Sequence, residues 1–362
     1  MIKFLNLQPE VFGMDITDSS LTIVKLVKNR GRFKVVSYSQ YPIKKDIVSG
    51  GVIQNQEELI KIIRSACHSA NAKKLKTKYV VLSLPEEKSF VQLVKMPAME
   101  KSELKSAVPF EMANYIPLAI DKVYLDSEVI NSHSHNIAEH LDLLVNAMPK
   151  NVVDSYVSCV KMAGLIPWAM ELRSHAVVRA LLKEGEKPMP TIFLEFNEGK
   201  VNFVVFAGDF VRFTFSSDIS LDELKEAVKT AGPESAPPQN LEAQPQAQPQ
   251  PQSALILVSL VEQLKKYVNF YHSHVSSEHF SAGDKIEKIV LCGSEKELKG
   301  LPEFLSQQLQ IPTQVGNPLV NVVSDKIAHY GSVPPQWSSY AAAIGLAIRG
   351  AAESVHVRTY HD

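Results

Sequence analysis

Residues 13–20 read GMDITDSS, a polar turn between an apolar run and a β-branched run. A tight turn of this kind aims backbone N–H groups and short hydroxyls at one point, which suits phosphate oxygens, and an aspartate beside it can hold a divalent cation through water. Asp15, Ser19 and Ser20 are the side chains that would do this; an ordinary polar hairpin turn is the other reading of the same residues. The histidine pairs His133/His135 and His272/His274 are spaced i,i+2, with no cysteine or carboxylate set nearby to complete a tetrahedral site, so no metal centre is expected from them. Cys67, Cys159 and Cys292 are isolated and odd in number, which argues against a disulfide framework and for a reducing compartment. Cys159 and Cys292 read as small buried hydrophobes.

The elements around the turn follow from periodicity. Residues 11–27 read as a hairpin, 33–43 as a third strand, 54–69 as an amphipathic helix with Leu59, Ile62, Ile63 and Ala66 on one face, and 79–85 as a buried strand. Residues 86–150 change texture: a strand, a helix over about 99–115 that Pro109 should kink or shorten, and two more strands flanking a polar loop at 131–139. A helix at 152–165 and a strand running into a helix follow. From Pro190 the chain again makes three alternating strands and a helix, so the second half opens as the first does. Residues 232–253 hold six prolines and six glutamines with one large apolar residue, Leu241, too little apolar surface to offset the entropy of ordering, and read as a disordered insertion. A long helix over about 255–272, a strand ending at Gly293, another helix, and a small-residue helix in SYAAAIGLAIRG complete the chain.

The chain has 362 residues, enough for two or three compact units, and a net charge of −1 from 38 basic and 39 acidic side chains. That balance gives no electrostatic basis for binding nucleic acid. The first residues lack the charged and apolar regions of a secretion signal, and the most apolar run, 254–261, is too short to span a bilayer, so a soluble cytoplasmic protein is expected.

The order of motifs resembles the actin-like ATPase superfamily, and residues 94–126, VKMPAMEKSELKSAVPFEMANYIPLAIDKVYLD, resemble the PilM family of type IV pilus assembly proteins, itself similar to FtsA. Pro97, Met99, Glu103, Leu104, Ala107, Glu111, Tyr115, Ile116, Pro117, Val123 and Asp126 carry the pattern, and residues 143–172 resemble the family's next connection. The resemblance implies an α/β, actin-like two-lobed fold with duplicated mixed β-sheet lobes. Residues 1–85 and 151–187 would form the first lobe, 86–150 an inserted α+β subdomain, and 188–362 the second lobe interrupted by 232–253.

It further implies ATP with Mg in the cleft. Asp15 would take the metal through water, Ser19 and Ser20 would face phosphate, and Thr17 stands where the family has glycine. The second phosphate loop would be Leu194–Val201, with Glu195, Asn197, Gly199 and Lys200 contributing, yet aspartate has become Glu195, glycine Asn197 and a hydroxyl Val201. Gly293 and Ser294 would lie against adenine, with Gln263 and Lys266 of the long helix near ribose. A site so altered implies nucleotide binding with at most weak ATPase activity.

The implied function is a cytoplasmic structural adaptor, held at the inner membrane by partners. The implied partner is the N-terminal cytoplasmic peptide of a PilN-like membrane protein, with pilus motor ATPases and self-association as further contacts. Met99, Leu104, Met112 and Tyr115 are the partner-binding candidates; packing against their own domain is the other reading of that helix face. The opening residues, IKFLNLQPE, resemble the partner peptide and could occupy the same groove. Competing readings are an active ATPase or kinase of the superfamily, an FtsA-like filament protein, and a type II secretion platform component.

Overall fold

The computed structural model describes residues 9–29, 31–68, 75–130, 140–186, 189–197, 200–231, 252–275, 285–293, 297–323 and 336–352. The polar loop at 131–139, residues 232–251 of the Gln/Pro-rich stretch and the N-terminal peptide-like residues 1–8 lie outside these; residues 252–253, expected in the disordered stretch, instead begin a helix. The chain divides into two units, Met1–Glu186 with Asn317–Asp362, and Lys187–Gly316.

In unit 1, β1 (Val11–Ile16), β2 (Ser20–Asn29) and β3 (Arg32–Pro42) form an antiparallel run. A small hairpin of β4 (Val48–Ser49) and β5 (Val52–Ile53) leads to α1 (Gln56–His68). Asn55 caps α1 by accepting the Glu58 N–H at 3.1 Å, and Leu59, Ile60, Ile63 and Ala66 form its buried stripe. β6 (Tyr79–Leu84) then lies parallel to β1. Both strands are buried almost throughout, as strands covered on two faces must be.

The inserted segment contains β7 (Phe90–Pro97), α2 (Lys101–Met112), β8 (Val123–Val129) and β9 (His140–Pro149). Its three-stranded antiparallel sheet, ordered β7-β9-β8, has its own core of Val94, Met96, Leu104, Val108, Met112, Ile116, Val123, Leu143 and Val145. The α2 helix starts on a capping box in which the Glu100 N–H donates to Glu103 at 2.8 Å. It runs on through Pro109 and ends at Met112, shorter than expected from sequence; single turns carry the chain from there to Ile116. α3 (Lys150–Met162), β10 (Ile166–Leu172) and α4 (Arg173–Leu181) return the chain to the first sheet, where β10 lies parallel to β6.

Unit 2 contains β11 (Thr191–Asn197), β12 (Lys200–Ala207), β13 (Phe210–Ser217), α5 (Leu221–Ala231), α6 (Gln252–Val275), β14 (Lys288–Cys292), α7 (Leu301–Leu309) and β15 (Thr313–Val315). Its sheet order, β13-β12-β11-β14-β15, matches β3-β2-β1-β6-β10 strand for strand, with the same antiparallel and parallel pairs. The repeat legible in the strand pattern is thus a repeat of whole sheets. Leu257, Leu260, Val261, Leu264 and Tyr271 of α6 are buried in this unit's core.

The last helix, α8 (Ala341–Ala352), corrects the expected boundary of the second lobe. It packs on β1, β2, β6 and α4, so residues 317–362 belong to unit 1. Small residues make the approach close: a Cβ on Gly345 would sit 1.8 Å from the Ala176 carbonyl oxygen, and one on Gly13 would sit 2.3 Å from that of Ala343.

A buried charge cluster ties α8 down. Arg179 and Arg349 both donate to the Glu171 carboxylate, Arg349 at 2.9 Å. Burial pushes Glu171 up, but the charge and hydrogen bond of Arg179 and the charge of Arg349 outweigh it and hold the carboxyl below its ordinary value. Burial lowers the neighbouring His175 imidazole, reinforced by Arg179 and Arg349 and opposed by Glu171 and Asp126. Both shifts make acid destabilising. A depressed His favours the neutral form in the fold, so stability should begin to fall as pH drops below the unfolded value of 6.5. The contribution of Glu171 is present above its unfolded value of 4.5 and is lost as pH falls through the lower folded value. Thermal midpoints measured across pH should show both stages, and His175→Asn should remove the first while leaving most of the second, which Arg179 and Arg349 sustain.

Candidate functional site

The predicted phosphate turn joins β1 to β2, and most of its donors and acceptors are met within unit 1. Asp15 is a strand residue, paired with Thr22 in register and 2 % exposed. The Nε–H of Arg173, the first residue of α4, forks to both Asp15 carboxylate oxygens at 3.1 and 3.0 Å. A buried carboxylate needs such a partner, and a guanidinium never loses its charge. Thr17 turns its hydroxyl inward, accepting the Ser20 N–H at 3.0 Å and the Ser19 N–H at 3.3 Å. These are the amides that a phosphate cradle would offer. Next to it, Asp18 accepts the N–H groups of Gly50 and Gly51 at 2.6 and 3.0 Å, fixing the turn to the β4–β5 hairpin. Tyr156 donates to the Gly51 carbonyl at 3.2 Å.

The N-terminus of α4 is satisfied in the same way. Its dipole would favour an anion. The Glu86 carboxylate already lies there, accepting the Ser174 N–H at 3.2 Å and its hydroxyl at 3.0 Å.

The second half of the predicted site lies on unit 2. β11 and β14 run parallel with Glu195 opposite Cys292, so Gly293 leaves its strand at the same end of the sheet at which β11 ends. Ligands of open α/β sheets bind at such carboxyl ends. Glu195 is 4 % exposed and Val201 is fully buried. Asn197 and Lys200 face each other in register, closing the hairpin; Gly199 and Ser294 lie outside the described residues. A Cβ on Gly293 would meet the Leu298 side chain at 2.7 Å. On α6, Gln263 donates to the Ser259 hydroxyl at 3.3 Å, and Lys266 is exposed. Among the described residues no three His, Cys, Asp or Glu side chains could together hold a metal ion.

These residues do not fit a water-bridged magnesium at Asp15, because a cation of the chain's own already occupies both carboxylate oxygens. Pattern reasoning named Asp15, Thr17, Ser19 and Ser20 but missed Arg173, Asp18, Glu86 and Ser174. Arg173 lies 158 residues from Asp15, and no local spacing signals the pair.

The partner-binding candidates divide. Leu104 and Met112 are 9 % and 0 % exposed and belong to the subdomain core, which corrects the expectation that these two face a partner; Met99 is half-buried and packs partly against that core. Tyr115 is half exposed. Phe110, unnamed by pattern, is 82 % exposed, and it lines a shallow hollow on α2 with Ser102, Glu103, Ser106 and Ala107.

The type IV pilus assembly protein PilM family matches residues 13–191 and 254–351, well over half of the sequence. The chain belongs to the PilM family. A solved PilM–PilN type IV pilus biogenesis complex is 21 % identical, with a TM-score of 0.72 over 94 % of this chain and 98 % of that one. The fold is therefore actin-like, with two units built on matching five-stranded sheets. The ethanolamine utilization protein EutJ of Carboxydothermus hydrogenoformans is 11 % identical, over 93 % of this chain and 88 % of that one, with a TM-score of 0.45. The cytoplasmic domain of EpsL, an inner-membrane component of the Vibrio cholerae type II secretion system, is 12 % identical, over 70 % and 94 %, with a TM-score of 0.39.

Proposed function

We propose that the protein is a structural adaptor of type IV pilus assembly that docks a short cytoplasmic segment of a PilN-like membrane partner on its inserted subdomain. The observation that carries this reading is the exposure of Phe110 and Tyr115, with Leu118 39 % exposed between α2 and β8, beside a subdomain core that buries Leu104, Val108, Met112 and Ile116 of the same segment; Tyr124 and Val129 of β8 are exposed as well. Aromatic side chains held in water, Phe110 on α2 and Tyr115 in the turns after it, are the usual anchors of a binding surface. Family membership and the solved PilM–PilN complex support the partner's identity. No helix among the described residues is long and apolar enough to cross a membrane, so in this reading the partner holds the protein at the cytoplasmic face. Turnover of ATP does not enter the reading: buried Val201 stands where the resemblance puts a hydroxyl, and Asp15 is already paired with Arg173. Pilus motor ATPases and further copies of the chain are the other contacts such an adaptor would make.

A fluorescent peptide of the partner's N-terminal segment, titrated with the full chain, tests the docking. Phe110→Ser and Tyr115→Ser should each weaken binding about tenfold, or about 1.4 kcal/mol, at unchanged thermal midpoint. Binding unaffected by both substitutions would remove this surface from the reading.

A further inference from the structure

We propose that Arg173 is a built-in replacement for the divalent cation at Asp15, and that the β1–β2 turn is consequently a permanently closed, metal-independent support instead of a phosphate cradle. Three separate contacts, all within unit 1, lead to this. The first is charge: the Asp15 side chain is 3 % exposed, and Arg173 Nε–H reaches both of its oxygens. A hydrated magnesium would have to displace a guanidinium already desolvated against that carboxylate. The second is the donor set: the Thr17 hydroxyl accepts the Ser19 and Ser20 amides, so these two donors are met without an anion. The third is the α4 terminus, where Glu86 accepts from both the N–H and the hydroxyl of Ser174 and presents negative charge to any approaching phosphate.

The arrangement has a conformational consequence. A metal-loaded turn has two states, loaded and empty, and its geometry follows the ligand. An arginine does not dissociate, and its charge persists across the physiological pH range. The turn, the β4–β5 hairpin that Asp18 fastens to it, and the start of α4 are thus held in one state. The proposal does not depend on the peptide-docking surface, which lies on other residues.

The test uses the full chain and magnesium chloride as the probe, with thermal midpoint as readout. The wild-type midpoint should be the same in EDTA and in magnesium chloride, and ATP should not make it magnesium-dependent. Arg173→Gln strands a buried carboxylate, so its midpoint should drop in EDTA and recover by about 4 °C or more in about 10 mM magnesium chloride. The double variant Asp15→Asn with Arg173→Gln removes the charge together with its partner and should show no magnesium response. A wild-type midpoint that rises with magnesium and ATP over ATP in EDTA would overturn the proposal, as would a folded Arg173→Gln indifferent to magnesium. Should Arg173→Gln fail to fold, the wild-type comparison decides alone.

Discussion

Gly345→Ala should destabilise the protein by about 3 kcal/mol or more, lowering the thermal midpoint by about 10 °C. The added methyl would sit 1.8 Å from the Ala176 carbonyl oxygen and 2.5 Å from its carbon, both backbone atoms of α4. A flexible side chain could swing aside, but a helix backbone must move as a body. α8 also lies against β1, β2 and β6, so relief at α4 comes at the expense of those contacts. Gly350→Ala is the matched control. The atoms nearest its methyl would be those of the Val11 and Val81 side chains, at 3.0 to 3.3 Å, which can shift by a few tenths of an ångström. It should cost about 1 kcal/mol or less, the low end for an added methylene. Equal losses in the two variants would mean that the α4–α8 crossing is looser than its geometry indicates.

The second large effect is expected at Glu171. Glu171→Ala should cost about 3 kcal/mol by urea denaturation, because it leaves Arg179 and Arg349 facing each other without their shared counter-ion. The two guanidinium side chains are 33 % and 28 % exposed, and this access to water holds the loss to the lower part of the range for a broken buried pair. Glu171→Gln keeps an acceptor and should cost less. Arg349→Met should recover part of the Glu171→Ala loss, since it removes one of the two charges that Glu171 neutralises. Additive losses in that double variant would mean that Arg349 and Glu171 do not act on each other.

Much of the fold could be read locally. Alternation set the hairpins around 13–20 and 195–201, and the helical stripes set α1, α3 and α6, because these patterns report which face of an element is apolar. The repeated opening of the two halves was visible for the same reason. The boundary of the second unit was not: α8 is apolar and small on nearly every face, and such a helix carries no local signal of which sheet it joins. Leu104, Phe110 and Met112 look alike in a pattern. Only packing put Leu104 and Met112 in the core and left Phe110 in water.

The candidate site divides in the same way. The sequence by itself determined that residues 13–20 make a polar turn after a buried strand and that the chain carries the PilM pattern around Tyr115. Tertiary structure alone decided what the turn does with its donors. β6 and β10 must be laid in register beside β1 before Arg173 meets Asp15 and Glu86 meets Ser174. Side-chain type is a local property, whereas an ion pair spanning 158 residues exists only once sheet order and register have fixed which chain ends lie together.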